Sequence, residues 1–332
     1  VLQLVEQGKI SLDDGEFVKK IAPEISQKKV YADGITAADQ QKDVTVRMLL
    51  SHTAGFAYSF LDPRVQVNEF TGEESAITSS PMVNQPGTMW EYGINLDWAG
   101  IILERVTGQK LGEYFQQHIF KPLGIESTTM FPTKEMKANF SQLHQRSPEG
   151  VLSETPLSHH PNLLPIKAES QEDRDKIFQA GGHGLFSKPK EYVKVLAALL
   201  NDGTSPTTGA TILKPETVNS MFENQIPGQP DFARGGPPSP MPTVANSLPE
   251  MYPQEGNPPQ GWGLSFFLTI TPGGTGRGAN TGWWAGLPNL FYWVDREKGV
   301  AGVIAGQVLP FGDAKVFGAW YQAEKALYDG LE

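Results

Sequence analysis

The chain contains no cysteine. That excludes disulfides, thiolate-bound zinc, iron–sulfur clusters and a thiol nucleophile within it. Positive charge is also scarce. Lys and Arg total 27 against 37 Asp and Glu, a net charge of −10. An anion of this size repels phosphate backbones, so nucleic acid is not an expected partner. No apolar run approaches the roughly 18 residues that span a bilayer, and no membrane partner is expected. Histidines are few: His52, His118, His144, His159, His160 and His183. None stands in His-Glu-x-x-His or another ligand spacing, and the adjacent pair His159–His160 in a Ser/Pro/Asn loop reads as solvated. Gly273-Gly274-Thr275-Gly276-Arg277-Gly278 misses both the Walker and the dinucleotide spacing and reads as a turn. No metal and no cofactor are expected.

What is present is globular in composition. Hydrophobic residues make up 39% and charged residues 19% of 332, too apolar for disorder. At about 150 residues per domain this is two packed units, or one large domain with a subdomain. The opening Val1-Leu2-Gln3-Leu4-Val5-Glu6-Gln7-Gly8 has no Met and reads as the last turns of a buried helix with its glycine stop. The chain is therefore expected to be a fragment, N-terminally incomplete. No signal peptide is visible, and a cytoplasmic location is expected.

Apolar periodicity predicts four helices: Leu96–Val106, with Leu96, Ala99, Leu103 and Val106 in one stripe; Lys110–Phe120; Lys190–Asn201, with Ser187 as its N-cap; and Asp313–Tyr328, with Val316, Trp320, Ala323 and Leu327 inward. Strands are predicted at Trp262–Thr271, Asn289–Asp295 and Gly299–Val308, the last two joined by a turn at Arg296-Glu297-Lys298. The expected class is α+β: one domain with a helical region at about 44–225, a Pro-rich loop at 227–259 holding ten of the 26 prolines, and a C-terminal antiparallel sheet and helix at 260–332. The Pro-rich stretch reads as a surface loop or lid, with a flexible linker as the other reading.

One segment draws attention for chemistry: Trp90-Glu91-Tyr92-Gly93-Ile94-Asn95-Leu96-Asp97-Trp98-Ala99-Gly100. Asn95 at the helix start is a natural N-cap, and Tyr92 just before it could be an ordinary buried aromatic. Here the residues resemble a family. Leu49-Leu50-Ser51-His52-Thr53-Ala54-Gly55-Phe56 is similar to the Leu-Leu-x-His-Thr-Ser-Gly-Leu stretch of serine β-lactamase-type proteins. These include class C β-lactamases, penicillin-binding proteins, D-aminopeptidases and family VIII carboxylesterases. Tyr92…Asn95 stands in the place of their Tyr-x-Asn motif with one extra residue, and resembles most closely the fungal lovastatin-type acyltransferase branch. Gln179–Ser187 is similar to the family's Gly-Gly-Gly-Leu-x-Ser turn. Asn280-Thr281-Gly282-Trp283-Trp284-Ala285-Gly286-Leu287 falls at the third motif, Lys-Thr-Gly in lactamases.

The resemblance implies a β-lactamase/transpeptidase-like fold and an acyl-serine enzyme. Its Ser-x-x-Lys motif is expected upstream of Val1. Ser26-x-x-Lys29 and Ser187-x-x-Lys190 do occur, but serine and lysine are common enough here for such pairs to arise by chance. The resemblance makes Tyr92 a proton shuttle and Asn95 a group that orients substrate or the lysine. It places Trp283, Trp284, Ala285, Gly286 and Leu287 on the substrate and oxyanion side, with His183 from the glycine-rich turn. A tryptophan where lactamases hold a carboxylate with Lys or His favours neutral esters. The expected partner is a small ester or acyl-thioester, with an acyl carrier protein as a further candidate. One alternative is a non-catalytic binding protein on this fold; the other is a β-lactamase or D-aminopeptidase-type hydrolase.

Overall fold

Thirteen α-helices and eight strands occur among the described residues of a computed structural model, namely 1–157, 160, 162–234, 238–246 and 256–331. They divide into two compact units, one made of 1–139 and 161–187, the other of 140–160 and 188–332.

The first unit is helical. Its elements are α1 (Leu2–Glu6), α2 (Gly15–Ile21), α3 (Pro23–Ser26), α4 (Val46–Leu50), α5 (Glu74–Ser79), α6 (Asn95–Thr107), α7 (Leu111–Phe115), α8 (Lys134–Ala138), α9 (Leu163–Lys167) and α10 (Gln171–Asp175). The helix expected to end at Gly8 does so, with Gly8 at φ 68°. The centre is α6, against which α2, α4 and α7 pack. Its stripe is wider than expected. Trp98, Ile101 and Ile102 are buried together with Ala99 and Leu103, as befits a helix enclosed on several sides. Gly108 ends it in the left-handed region. The helix expected at Lys110–Phe120 is α7 followed by a π-turn over Gln116–Phe120.

The second unit holds α11 (Pro189–Leu200), α12 (Pro215–Met221), α13 (Ala314–Asp329) and all the strands: β1 (His144–Arg146), β2 (Leu152–Glu154), β3 (Gln260–Trp262), β4 (Phe267–Thr269), β5 (Thr281–Gly286), β6 (Leu290–Asp295), β7 (Val300–Ala305) and β8 (Val308–Leu309). Strands β3 to β7 form one antiparallel sheet in sequence order; β2, β1 and β8 form a smaller one. The antiparallel sheet with helices is the expected α+β arrangement. The run expected as one strand at Trp262–Thr271 is instead the hairpin β3–β4. The Gly263 N–H bonds to the Phe266 carbonyl at 2.8 Å, and Ser265 adopts φ 80° between them.

Pairing fixes the faces of the sheet. Trp283 stands opposite Trp293 and Ala285 opposite Phe291, so these four share one face; Trp284 and Tyr292 share the other. Trp320 of α13 packs on Trp283 and stacks on Phe291 at 4.1 Å, while Tyr192 of α11 meets Tyr292. The two helices therefore cover opposite faces. The expected inward stripe of α13 is displaced: Trp320, Glu324 and Tyr328 are buried, and Leu327 is exposed. Glu324 faces the core because a buried arginine, Arg277, meets it there. Likewise Lys188, not Ser187, is the N-cap of α11; the Ser187 hydroxyl bonds to Thr128 Oγ1 at 2.7 Å. The Pro-rich stretch is described only in part, since 235–237 and 247–255 fall outside the described residues, as does His159.

Candidate active site

In the helical unit, the site grows from the end of α4. His52 follows that helix in the left-handed region, φ 53°, and its carbonyl accepts the Glu91 N–H at 2.8 Å. Its Nδ1 lies 3.0 Å from Asn95 Nδ2 and 3.5 Å from the Gly93 amide. Both neighbours are donors, so Nδ1 is the acceptor nitrogen of a neutral ring. Burial agrees, pushing the imidazole down to about 3. His52 thus clamps the Tyr92–Asn95 segment. Gly93 must be a glycine here. A Cβ would stand 2.4 Å from Ala57 Cα and from the Phe56 carbonyl oxygen.

Asn95 is not the N-cap that its position suggests. Ile94 takes that place and Asn95 is the first helical residue, fully buried. Its amide nitrogen also reaches the carbonyls of Phe56 and Glu91, both at 3.3 Å. The tight turn at Gly93 aims the side chain back at the chain leaving α4 rather than along its own helix. Its Oδ1 makes no hydrogen bond among the described residues. Tyr92 is half-buried, with its ring 4.9 Å from His52, 5.2 Å edge-on from Tyr58 and stacked on Trp90 at 6.1 Å.

Tyr58, Glu69 and Asp97 escaped sequence reading. Asp97, in the first turn of α6, is fully buried, and its Oδ1 accepts the Gly182 N–H at 3.0 Å. That bond ties the glycine-rich turn to α6. Burial pushes the Asp97 carboxyl up to about 7, and raises Glu69 and Glu91, Glu91 also to about 7. Ordinary sequence signals did not mark Asp97, because an acid in a first helical turn normally serves the helix dipole in solvent.

The sign of the Asp97 shift makes a prediction. The folded state keeps a proton that the unfolded chain releases near 3.8. Asp97 therefore adds stability below about pH 4, and the contribution is lost as pH rises towards 7. Asp97→Asn does not titrate. Urea unfolding of the two proteins between pH 4 and 8 should shift in the variant's favour as pH rises, by up to about 4 kcal/mol. A parallel pair of pH profiles would count against the assignment.

His183 lies in a pocket of the same unit, with Glu69, Phe70, Phe131, Phe178 and Asn162 among its walls. The enclosed space is about 20 Å³, room for one water. The His183 ring meets Phe70 edge-on at 4.8 Å, and burial lowers it to about 4, so it is neutral at pH 7. It is one residue from the Asp97 anchor but shares no hydrogen bond with Tyr92 or Asn95 among the described residues. The two Ser-x-x-Lys coincidences find no catalytic geometry. The exposed Ser26 hydroxyl donates to the Pro23 carbonyl and Lys29 is paired with Asp39.

In the sheet unit, the third motif is β5. Trp283 is a core residue, wholly buried between Phe267 and Trp320. Trp284, on the opposite face, packs edge-on to Trp262 at 4.6 Å and is 7% exposed. The β4 ladder ends at Phe267–Trp283, whereas the β6 ladder runs on to Gly286–Leu290. Trp284, Ala285 and Gly286 therefore present one backbone edge along which no described strand runs. The space a Gly286 side chain would fill is taken by Leu290, 2.7 Å from the Cβ position. Leu287 lies past the strand, in the turn to β6.

A family model described as Beta-lactamase matches residues 1–327. The lovastatin esterase of Penicillium rubens is 33% identical over 330 residues, covering 93% of this chain and 76% of its own. Monacolin J acid methylbutanoyltransferase of Aspergillus terreus is 30% identical over 344 residues, covering 94% and 74%. Among solved structures, unliganded simvastatin synthase from Aspergillus terreus superimposes with a TM-score of 0.74 at 27% identity, over 98% of this chain and 79% of that one.

Proposed function

The chain belongs to the beta-lactamase family, and on that premise we propose that it serves a serine acyl-enzyme that hydrolyses or transfers neutral acyl esters in secondary metabolism. Relatives named as an esterase and as an acyltransferase support this reading over a non-catalytic binding protein. The observation that carries it is the Tyr92–Asn95 segment, clamped by His52 at the start of a buried helix. A serine, with a lysine one helical turn on, would act from ahead of Val1. The serine would attack the ester carbonyl; the lysine and Tyr92 would take its proton and deliver one to the leaving alcohol. Water or a second alcohol would then release the acyl group.

Asn95 Oδ1 would orient the lysine or the substrate. One oxyanion donor would come from the serine's own amide and another from the unladdered edge of β5 at Trp284–Gly286. Trp284, rather than Trp283, would line the acyl side. His183 and Leu287 would border the substrate. The donor is read as a small ester or acyl-thioester, free or on an acyl carrier protein, and the compartment as the cytoplasm. No helix among the described residues is long and apolar enough to cross a membrane.

Incubation of the natural full-length protein with p-nitrophenyl butyrate, followed by intact-mass analysis, should show one butyryl group bound per chain during turnover. Turnover without any covalent adduct would remove the acyl-serine reading. Trp284→Lys tests the neutral pocket, since an ammonium is costly to bury beside an acyl chain. The KM for the butyrate ester should rise by about ten-fold or more in protein whose circular dichroism is unchanged. An unaltered KM would take Trp284 out of the pocket.

A further inference from the structure

We propose that Asp97 is a positioning residue for acyl transfer: from the first turn of α6 its unpaired Oδ2 faces the Tyr58 hydroxyl and orients it, and through Tyr58 it sets the ring of Tyr92. The proposal rests on Tyr92 being the proton shuttle.

Asp97 is buried, and no cation is among the groups that act on it. Such a carboxylate is costly unless hydrogen bonds replace its water. Its Oδ1 takes the Gly182 amide at 3.0 Å. Its Oδ2 is buried and makes no hydrogen bond among the described residues, and the Tyr58 hydroxyl is the polar group beside it. A Cβ on Gly182 would lie 2.6 Å from that hydroxyl and 3.1 Å from Oδ2. The oxygen and the hydroxyl thus flank one point, which only a glycine leaves open.

Tyr58 itself is immobilised against Tyr92. Its N–H donates to the Tyr92 carbonyl at 3.3 Å, its ring stacks on Phe60 at 5.1 Å and it meets the Tyr92 ring edge-on at 5.2 Å. Asp97 feels Tyr58 from the segment after α4, Glu69 from the 3-10 turn at Glu69–Thr71, and the amides of Gly181 and Gly182 from the glycine-rich turn. No cation is in that set. An ionised Asp97 can only accept, so it draws the Tyr58 O–H towards itself and leaves the hydroxyl's lone pairs facing outward. A protonated Asp97 competes as a donor and releases that orientation. Its burial-raised titration, near 7, puts the change inside the working range.

The test is the pH dependence of kcat and KM, from about pH 5 to 9, in the full-length protein with p-nitrophenyl butyrate. Wild type, Asp97→Asn, Tyr58→Phe and the double variant are compared, each checked for folding by circular dichroism. The wild-type kcat should fall on the acid side with a midpoint near 7. Each single variant should lose that limb and about ten-fold in kcat at pH 8, with KM within about two-fold. The double variant should be no worse than either single one. Asp97→Asn with a wild-type acid limb, or losses that multiply in the double variant, would overturn the proposal. So would a lowered kcat with an unshifted profile, which is what mere scaffolding gives. Loss of activity in Tyr92→Phe with Asp97→Asn unaffected defeats this inference alone. An inactive wild type, or an active Tyr92→Phe, defeats the underlying reading and the inference with it.

Discussion

Tyr92→Phe in the full-length protein should lower ester turnover at least about 10²-fold, the scale of a lost positioned acid–base group, or about 2.7 kcal/mol of barrier. The substitution removes one oxygen. The ring contacts with His52, Tyr58 and Trp90 remain, and the backbone of the segment is held by His52 and Asn95, independently of the hydroxyl. Thermal unfolding should therefore move by no more than a degree or two. Hydroxyl loss and fold loss separate cleanly here, which makes this variant more decisive than Tyr92→Ala. The drop should lie in kcat, with KM for the donor nearly constant, because a shuttle acts in the transition state and not in ground-state binding. Turnover within a few-fold of wild type would leave Tyr92 as a packing ring at the mouth of α6.

Much of the fold was legible, and the reasons it was legible also explain the misses. Helices α11 and α13 announced themselves through periodicity, and the turn between β6 and β7 through its charged residues; each signal is local. The inward face of α13 was misread because Glu324 and Tyr328 are polar and Leu327 is not. What reverses their places is Arg277, 47 positions away in sequence from Glu324 and inside a glycine-rich turn that looked like mere punctuation. The site shows the same limit. Tyr92 and Asn95 stood out by their place before a helix and by resemblance. Tyr58 and Asp97 did not, since nothing local distinguishes a tyrosine in a loop or an aspartate in a first turn. Their meaning comes from Gly182, 85 positions from Asp97. Of the tandem tryptophans, strand alternation said that only one could face a site. It took the register with β6 to send Trp283 inward.

Removing the charge of Glu324 should destabilise the protein by about 3–5 kcal/mol, the cost of leaving one member of a buried pair alone. Arg277 and Glu324 are both wholly buried. Arg277 Nε and Nη2 donate to the two carboxylate oxygens at 2.6 Å each, and Thr275 adds its hydroxyl. The guanidinium lies among the rings of Trp283, Trp293 and Trp320, 5.2 to 5.6 Å from their centroids. These rings lessen the desolvation of the cation but cannot replace a counter-charge. Glu324→Gln keeps shape and hydrogen-bonding oxygen while stranding the charge, so urea unfolding at neutral pH should report that cost directly. The double change Arg277→Met with Glu324→Leu should recover at least half of it, because two apolar side chains leave nothing stranded. Trp283 is held on the α13 side by this cluster, and alternation then sends Trp284 to the other face. A Glu324→Gln protein within about 1 kcal/mol of wild type would mean that the three rings stabilise Arg277 without its carboxylate, well beyond the usual worth of a cation over an aromatic face.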